Sequence, residues 1–190
     1  MIDILSYPRS GNHLVRYLVE YLSGRATCGC VGNKHADTMI CRRSNVMLLD
    51  HVDSTNAIAL KYHFSNHIQA PSEKLIFILR NPIECLYSHG MRDKNKNEFE
   101  HQLKLYMKNI EYFWACETDK LVLYYEELVC YNTITSISAL HTFLGADSNV
   151  ERYSELISNV PVFLDDAKRA LLRLPKSFSS CHYGNLKAES

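Results

Sequence analysis

The chain has 190 residues, 46% hydrophobic and 22% charged, which is enough for one globular domain with a substantial core. Lys plus Arg and Asp plus Glu both number 21, so no global field recruits nucleic acid or an anionic membrane, and basic character has to be local. No apolar run is long enough to span a bilayer, and no basic leader, long apolar stretch or cleavage site follows Met1, so a soluble chain without a membrane span is expected.

A first strand is predicted at 2–6, with Ile2, Ile4 and Leu5 as its apolar residues. The loop Ser6-Tyr7-Pro8-Arg9-Ser10-Gly11-Asn12-His13 leads from it into a helix carrying Leu14, Val15, Leu18, Val19 and Leu22. That helix ends near Ser23, where Gly24 supplies a left-handed cap. A turn of this kind points backbone N–H groups and a helix N-terminus at one spot, and Arg9 adds a fixed positive charge. The loop is therefore built to hold a phosphate-like group.

Residues 25–54 read as irregular loops facing the site, with Gly29, Gly32, Asn33, Arg42 and Arg43 around Val46-Met47-Leu48-Leu49. Strands are predicted at 57–62 and, after a short helix or turn, at 74–79. The second of these runs into Arg80-Asn81-Pro82, and Pro82 suits the first turn of the next helix because a missing N–H costs nothing there. Ser88 follows one helical stretch later, so Arg80 and Ser88 make a second anion site, as a doubly phosphorylated nucleotide would need.

Phe99, Leu103, Tyr106, Met107, Ile110, Phe113 and Trp114 recur at three- and four-residue intervals, which places them as core on one face of a long helix. A strand at 120–125 precedes Glu126-Glu127-Leu128, and another amphipathic helix ends near Phe143-Leu144-Gly145. Strands alternating with helices imply an α/β fold, a mostly parallel central sheet flanked by helices. No linker or internal repeat stands out, so residues 1–190 read as a single domain. The seven cysteines (Cys28, Cys30, Cys41, Cys85, Cys116, Cys130, Cys181) are odd in number and lack framework spacing, as reduced thiols of a cytoplasmic protein would.

These motifs resemble those of the sulfotransferases that use 3'-phosphoadenosine 5'-phosphosulfate (PAPS). Tyr7-Pro8-Arg9-Ser10-Gly11 is similar to that family's 5'-phosphosulfate loop, Tyr-Pro-Lys-Ser-Gly, and Arg80-Asn81-Pro82 with Ser88 is similar to its 3'-phosphate site. Leu60-Lys61-Tyr62-His63 resembles its Lys-Thr-His segment, and Tyr124-Tyr125-Glu126-Glu127-Leu128 its Tyr-Glu-Asp segment. The resemblance implies a P-loop-type three-layer fold and transfer of a sulfuryl group from PAPS to a hydroxyl or amine acceptor, leaving PAP, with no metal. It implies His63 as general base and Lys61 and Arg9 as stabilisers of the transferring group. It further implies Arg9, Ser10, Gly11, Asn12, His13, Arg80, Ser88 and Tyr125 as the nucleotide's binding residues. The acceptor would be a small molecule, a glycan or another hydroxylated substrate.

The chain departs from the family pattern in two places. Asn12-His13-Leu14 stands where Thr-Thr-Trp is usual, so Leu14 cannot stack on adenine as an indole does. The C-terminal Arg-Lys-Gly segment has no copy, with Lys176-Ser177 and His182-Tyr183-Gly184 as the basic, flexible substitutes. Two other readings stay open: a kinase-like phosphotransferase of related fold and a non-catalytic module that binds PAP or another nucleotide. The first lacks the Gly-x-x-x-x-Gly-Lys-Ser/Thr loop. Cys28-x-Cys30 with His35 and Cys41 does not have zinc-ligand spacing, and no metal is assigned.

Overall fold

The computed structural model describes residues 1–28 and 57–165. Gly29, Gly32, Asn33, Arg42, Arg43 and the stretch Val46-Met47-Leu48-Leu49 lie outside the described residues. So do Cys30, His35, Cys41, Lys176, Ser177, Cys181, His182, Tyr183 and Gly184.

Strands β1 (Ile2–Ser6), β2 (Thr27–Cys28), β3 (Ala59–Tyr62), β4 (Lys74–Leu79) and β5 (Asp119–Tyr124) form one sheet in the order β2-β3-β1-β4-β5. Every pairing is parallel, and Ile4 of β1 lies opposite Lys61 of β3 and Ile76 of β4. Among the described residues five α-helices accompany it: α1 (Asn12–Ser23), α2 (Pro82–Leu86), α3 (Lys96–Ala115), α4 (Thr133–Leu144) and α5 (Val150–Ser158).

Strand alternation divides the core into two layers. Ile2, Ile4, Ala59, Ile76, Ile78 and Leu123 pack with Val15, Leu18 and Leu22 of α1, Ile137 and Leu140 of α4, and Leu156 of α5. Leu5, Tyr62, Leu75 and Phe77 face the other way, onto Phe113 of α3. The result is the expected three-layer α/β arrangement. The chain starts in the middle of the sheet and builds β3 on one side of β1 and β4 on the other, so the ends of these strands flank a topological switch point, where open α/β sheets bind ligands.

Local chemistry sets the helix ends. Gly24 caps α1 at φ 68°, its N–H reaching Glu20 O at 2.8 Å. Asn81 caps α2 by accepting from the Ile83 N–H at 2.9 Å, with Pro82 at the first helical position. Asn95 caps α3 through the Glu98 N–H at 3.0 Å.

Three expectations need correction. Thr27–Cys28 is a short strand rather than loop, because it pairs with Ala59 and Leu60 and is clamped by buried Arg16 and Glu20 of α1. Arg16 Nε donates to Thr27 Oγ1 at 2.7 Å, and the Thr27 N–H donates to Glu20 Oε1 at 3.0 Å. Tyr125 lies just past β5, which ends at Tyr124. On α3, Trp114 is 70% and Met107 45% exposed, while Gln102, Tyr106, Asn109 and Phe113 make the buried stripe. Hydrogen bonds made by Gln102 and Asn109 let polar residues occupy the face that periodicity gave to apolar ones. No helix among the described residues is long and apolar enough to cross a membrane.

Candidate functional site

The loop between β1 and α1 is shaped by two left-handed residues. Arg9 has φ 70° and Gly11 φ 91°, with Ser10 between them closing a turn through its N–H on Tyr7 O at 3.2 Å. Positive φ at a non-glycine residue is strained, and such strain clusters where a ligand is gripped. Arg9 is exposed, and α1 starts at Asn12 with its first N–H groups directed out of the helix end. An exposed guanidinium beside a helix N-terminus is a donor set suited to a phosphate or sulfate group.

The side chains of the loop are not equivalent. Asn12 is buried, its Nδ2 donating to Ser6 Oγ at 2.9 Å, which ties the two ends of the loop together. Ser10 is fully buried, and its hydroxyl faces the Cys85 thiol of α2 at 3.1 Å. The Ser10 hydroxyl thus serves the loop's anchorage, and its shape is held from α2. Burial pushes the Cys85 thiol up, against the opposing pull of the Ser10 hydrogen bond and the Arg80 charge. His13 sits half-buried in the first turn of α1.

Arg80, the first residue after β4, reaches this loop directly. Its Nη1 donates to Arg9 O at 2.7 Å, and its guanidinium lies over the Tyr125 ring, 4.5 Å from the centroid. Tyr125 in turn packs against Gly11. The Asn81 N–H donates to Glu126 Oε1 at 3.1 Å, joining the segments that follow β4 and β5. Ser88 is exposed on a π-helical turn at Tyr87–Met91 that carries Gly90 at φ 88°.

From the other side of β1 comes His63, the residue after β3. Its Nδ1 lies 3.1 Å from Ser6 O. A carbonyl can only accept, so Nδ1 carries a proton, and in a neutral ring the basic lone pair is then on Nε2. Lys61, two residues earlier on β3, is 3% exposed. His89, on the π turn, packs edge-on to Tyr7 at 5.7 Å; burial holds its imidazolium down, with the Arg9 charge adding to the effect.

No family model and no curated protein sequence matches this chain. Among solved structures it is similar to mouse sulfotransferase SULT7A1 complexed with PAP, at TM-score 0.49 and 18% identity, covering 83% of this chain and 62% of that one. It is also similar to retinol dehydratase in complex with androsterone and the inactive cofactor PAP, at TM-score 0.47 and 18% identity, covering 82% of this chain and 63% of that one. The chain spans less than two thirds of either.

Arg80 touches Arg9 and Tyr125, Tyr125 packs on Gly11, and Asn12 and His63 both bond Ser6, which joins these residues at the ends of β1, β3, β4 and β5. Sequence reasoning gave Cys85, Glu126 and Asn109 no part in the site. Asn109 donates from Nδ2 to His63 O at 2.8 Å and accepts the Ser65 N–H at 2.8 Å. The signal for it was a polar residue at a core position of an amphipathic helix.

Proposed function

We propose that the chain, acting as one domain over residues 1–190, is a sulfotransferase that moves a sulfuryl group from PAPS to a hydroxyl or amine acceptor without a metal. The observation that carries this reading is the contact between Arg80 and Arg9, which makes the phosphate-type loop and the Arg-Asn-Pro segment parts of one site. The donor set fits the nucleotide: an exposed guanidinium and a helix N-terminus for one anionic group, with Arg80 and Ser88 for another.

Bound PAPS supplies an activated sulfuryl group with PAP as its leaving group. Arg9 and the loop N–H groups from Gly11 to His13 hold the 5'-phosphosulfate. Arg80 and Ser88 hold the 3'-phosphate, and Tyr125 braces Arg80 and the nucleotide side of the loop. His63 takes the acceptor proton on Nε2, its ring oriented by the Nδ1–H bond to Ser6 O. Lys61 steadies charge developing at the transferring group. The acceptor is a small molecule, a glycan or another hydroxylated compound, and the scattered cysteines support a cytoplasmic setting for the reaction.

Calorimetric titration with PAP, and separately with ATP and Mg²⁺, tests the reading. PAP binding with a raised melting temperature is expected, since a ligand selective for the native state stabilises it by mass action. No PAP binding at millimolar concentration overturns it. Stabilisation by ATP with Mg²⁺ alone favours a kinase-like phosphotransferase, and tight PAP binding with no transfer to any acceptor favours a non-catalytic module.

A further inference from the structure

Helix α3 carries three buried polar side chains, Gln102, Tyr106 and Asn109, at 8%, 2% and 1% exposure. Their spacing of four and then three residues puts them on one face. Each reaches a different strand end. Gln102 Oε1 accepts from the hydroxyl of Tyr7, the first residue after β1, at 2.7 Å. The Tyr106 hydroxyl donates to the carbonyl of Arg80, the first residue after β4, at 2.5 Å. Asn109 brackets the chain just after β3, donating to His63 O and accepting from the Ser65 N–H, both at 2.8 Å.

Burial alone does not call for these residues. Apolar side chains would bury there equally well, but they would leave the Tyr7 hydroxyl, the Arg80 and His63 carbonyls and the Ser65 N–H without these partners. What the polar stripe adds is direction: the sheet ladder positions the strands but stops where they end, and the residues with chemistry lie just beyond. In-line transfer is sensitive to placement, and an error of about 1 Å costs on the order of 10²-fold in rate.

We propose that the stripe Gln102–Tyr106–Asn109 is the positioning element of the site, one helix face that sets the phosphate loop, Arg80 and His63 relative to one another. The inference rests on the functional reading above for what the three groups do. Each member governs its own strand end, so the effects of substitution separate: Tyr106 acts on nucleotide binding through Arg80, and Asn109 acts on His63.

The test combines PAP calorimetry with long-range ¹H–¹⁵N NMR of the His63 imidazole. Tyr106→Phe, nearly isosteric, is expected to weaken PAP binding about three- to tenfold and to leave His63 in its Nδ1–H tautomer. Asn109→Ala is expected to hold PAP affinity within about twofold and to move His63 toward the mixed tautomers of a solvated imidazole. Where Asn109→Ala does not fold, Asn109→Asp puts the same question, keeping the acceptor for Ser65 and removing the amide donor to His63. Parental affinity and parental His63 spectra in both folded variants overturn the inference, as does an equal loss of both readouts in each, which marks general softening. A parent protein that does not bind PAP overturns the functional reading instead, and the stripe is then decided by the His63 tautomer and by amide exchange of residues 9–12 in Tyr106→Phe.

Discussion

Gly11 and the ring of Tyr125 are in contact so close that no side chain fits between them: a Cβ added at Gly11 would stand 2.4 Å from Tyr125 Cδ2 and 2.7 Å from Cε2. Two penalties follow for any substitution there, the positive φ of 91° and the clash with an aromatic ring that is itself braced by Arg80. Gly11→Ala should destabilise the fold by about 2–5 kcal/mol, combining roughly 1–2 kcal/mol of left-handed strain with about 1–3 kcal/mol of overpacking. Urea denaturation checks it. In a Tyr125→Ala background the same substitution should cost only the backbone share, and a double-mutant cycle without coupling would remove the ring from the explanation.

Arg80 should dominate nucleotide affinity. Its guanidinium makes the Arg9 contact and the Tyr125 stack at once, which a lysine ammonium cannot reproduce. Arg80→Ala is expected to weaken PAP binding by about 1.5–3 kcal/mol, roughly 10- to 150-fold. Arg80→Lys should recover only part of this, and Ser88→Ala should cost less. Titrations in which Arg80→Ala and Ser88→Ala both bind PAP like the parent would place the 3'-phosphate elsewhere.

His63→Ala should separate binding from chemistry. PAP affinity is expected to stay close to parental while turnover falls about 10²–10⁴-fold, the range for loss of a positioned acid–base group. His13→Ala is the control, because His13 lies on the helix turn that borders the loop. With an active acceptor in hand, near-parental turnover in His63→Ala together with its loss in His13→Ala would move the base to His13.

Stability should fall on the alkaline side. Tyr7, Cys85 and Tyr106 share one apolar cluster, and burial is the main cause that raises all three acids above their ordinary values. A raised acid leaves stability intact below its unfolded pKa and removes it as pH climbs from there toward the folded value. The decline should therefore begin near the ordinary thiol value of about 8.5 and steepen past the phenol value of about 10. Urea midpoints at pH 8, 9.5 and 10.5 measure the slope; Tyr106→Phe should flatten it, and an unchanged slope in that variant would exclude the cluster as its source.

Much of this architecture is present in local pattern. The strand at Ile2–Ser6, the helix ending at Gly24, the strand at Lys74–Leu79 and the proline-started helix at Pro82 all follow from apolar period and cap chemistry, which act within a few residues. The expectation of an anion site at the Gly-containing turn and its Arg9 also rests on residue type alone.

What the tertiary structure decided are relationships across long chain separations, which leave no period in the sequence. The Ser10 hydroxyl turns to Cys85 across 75 residues, and the phosphate-type loop is held by Gln102 across 95 from its Tyr7. β2 exists only because β3 lies beside it. Gln102 and Asn109 look misplaced on an apolar helix face until the strand ends they grip are brought to them, because a polar group becomes favourable at a buried position only once its partner is supplied by folding.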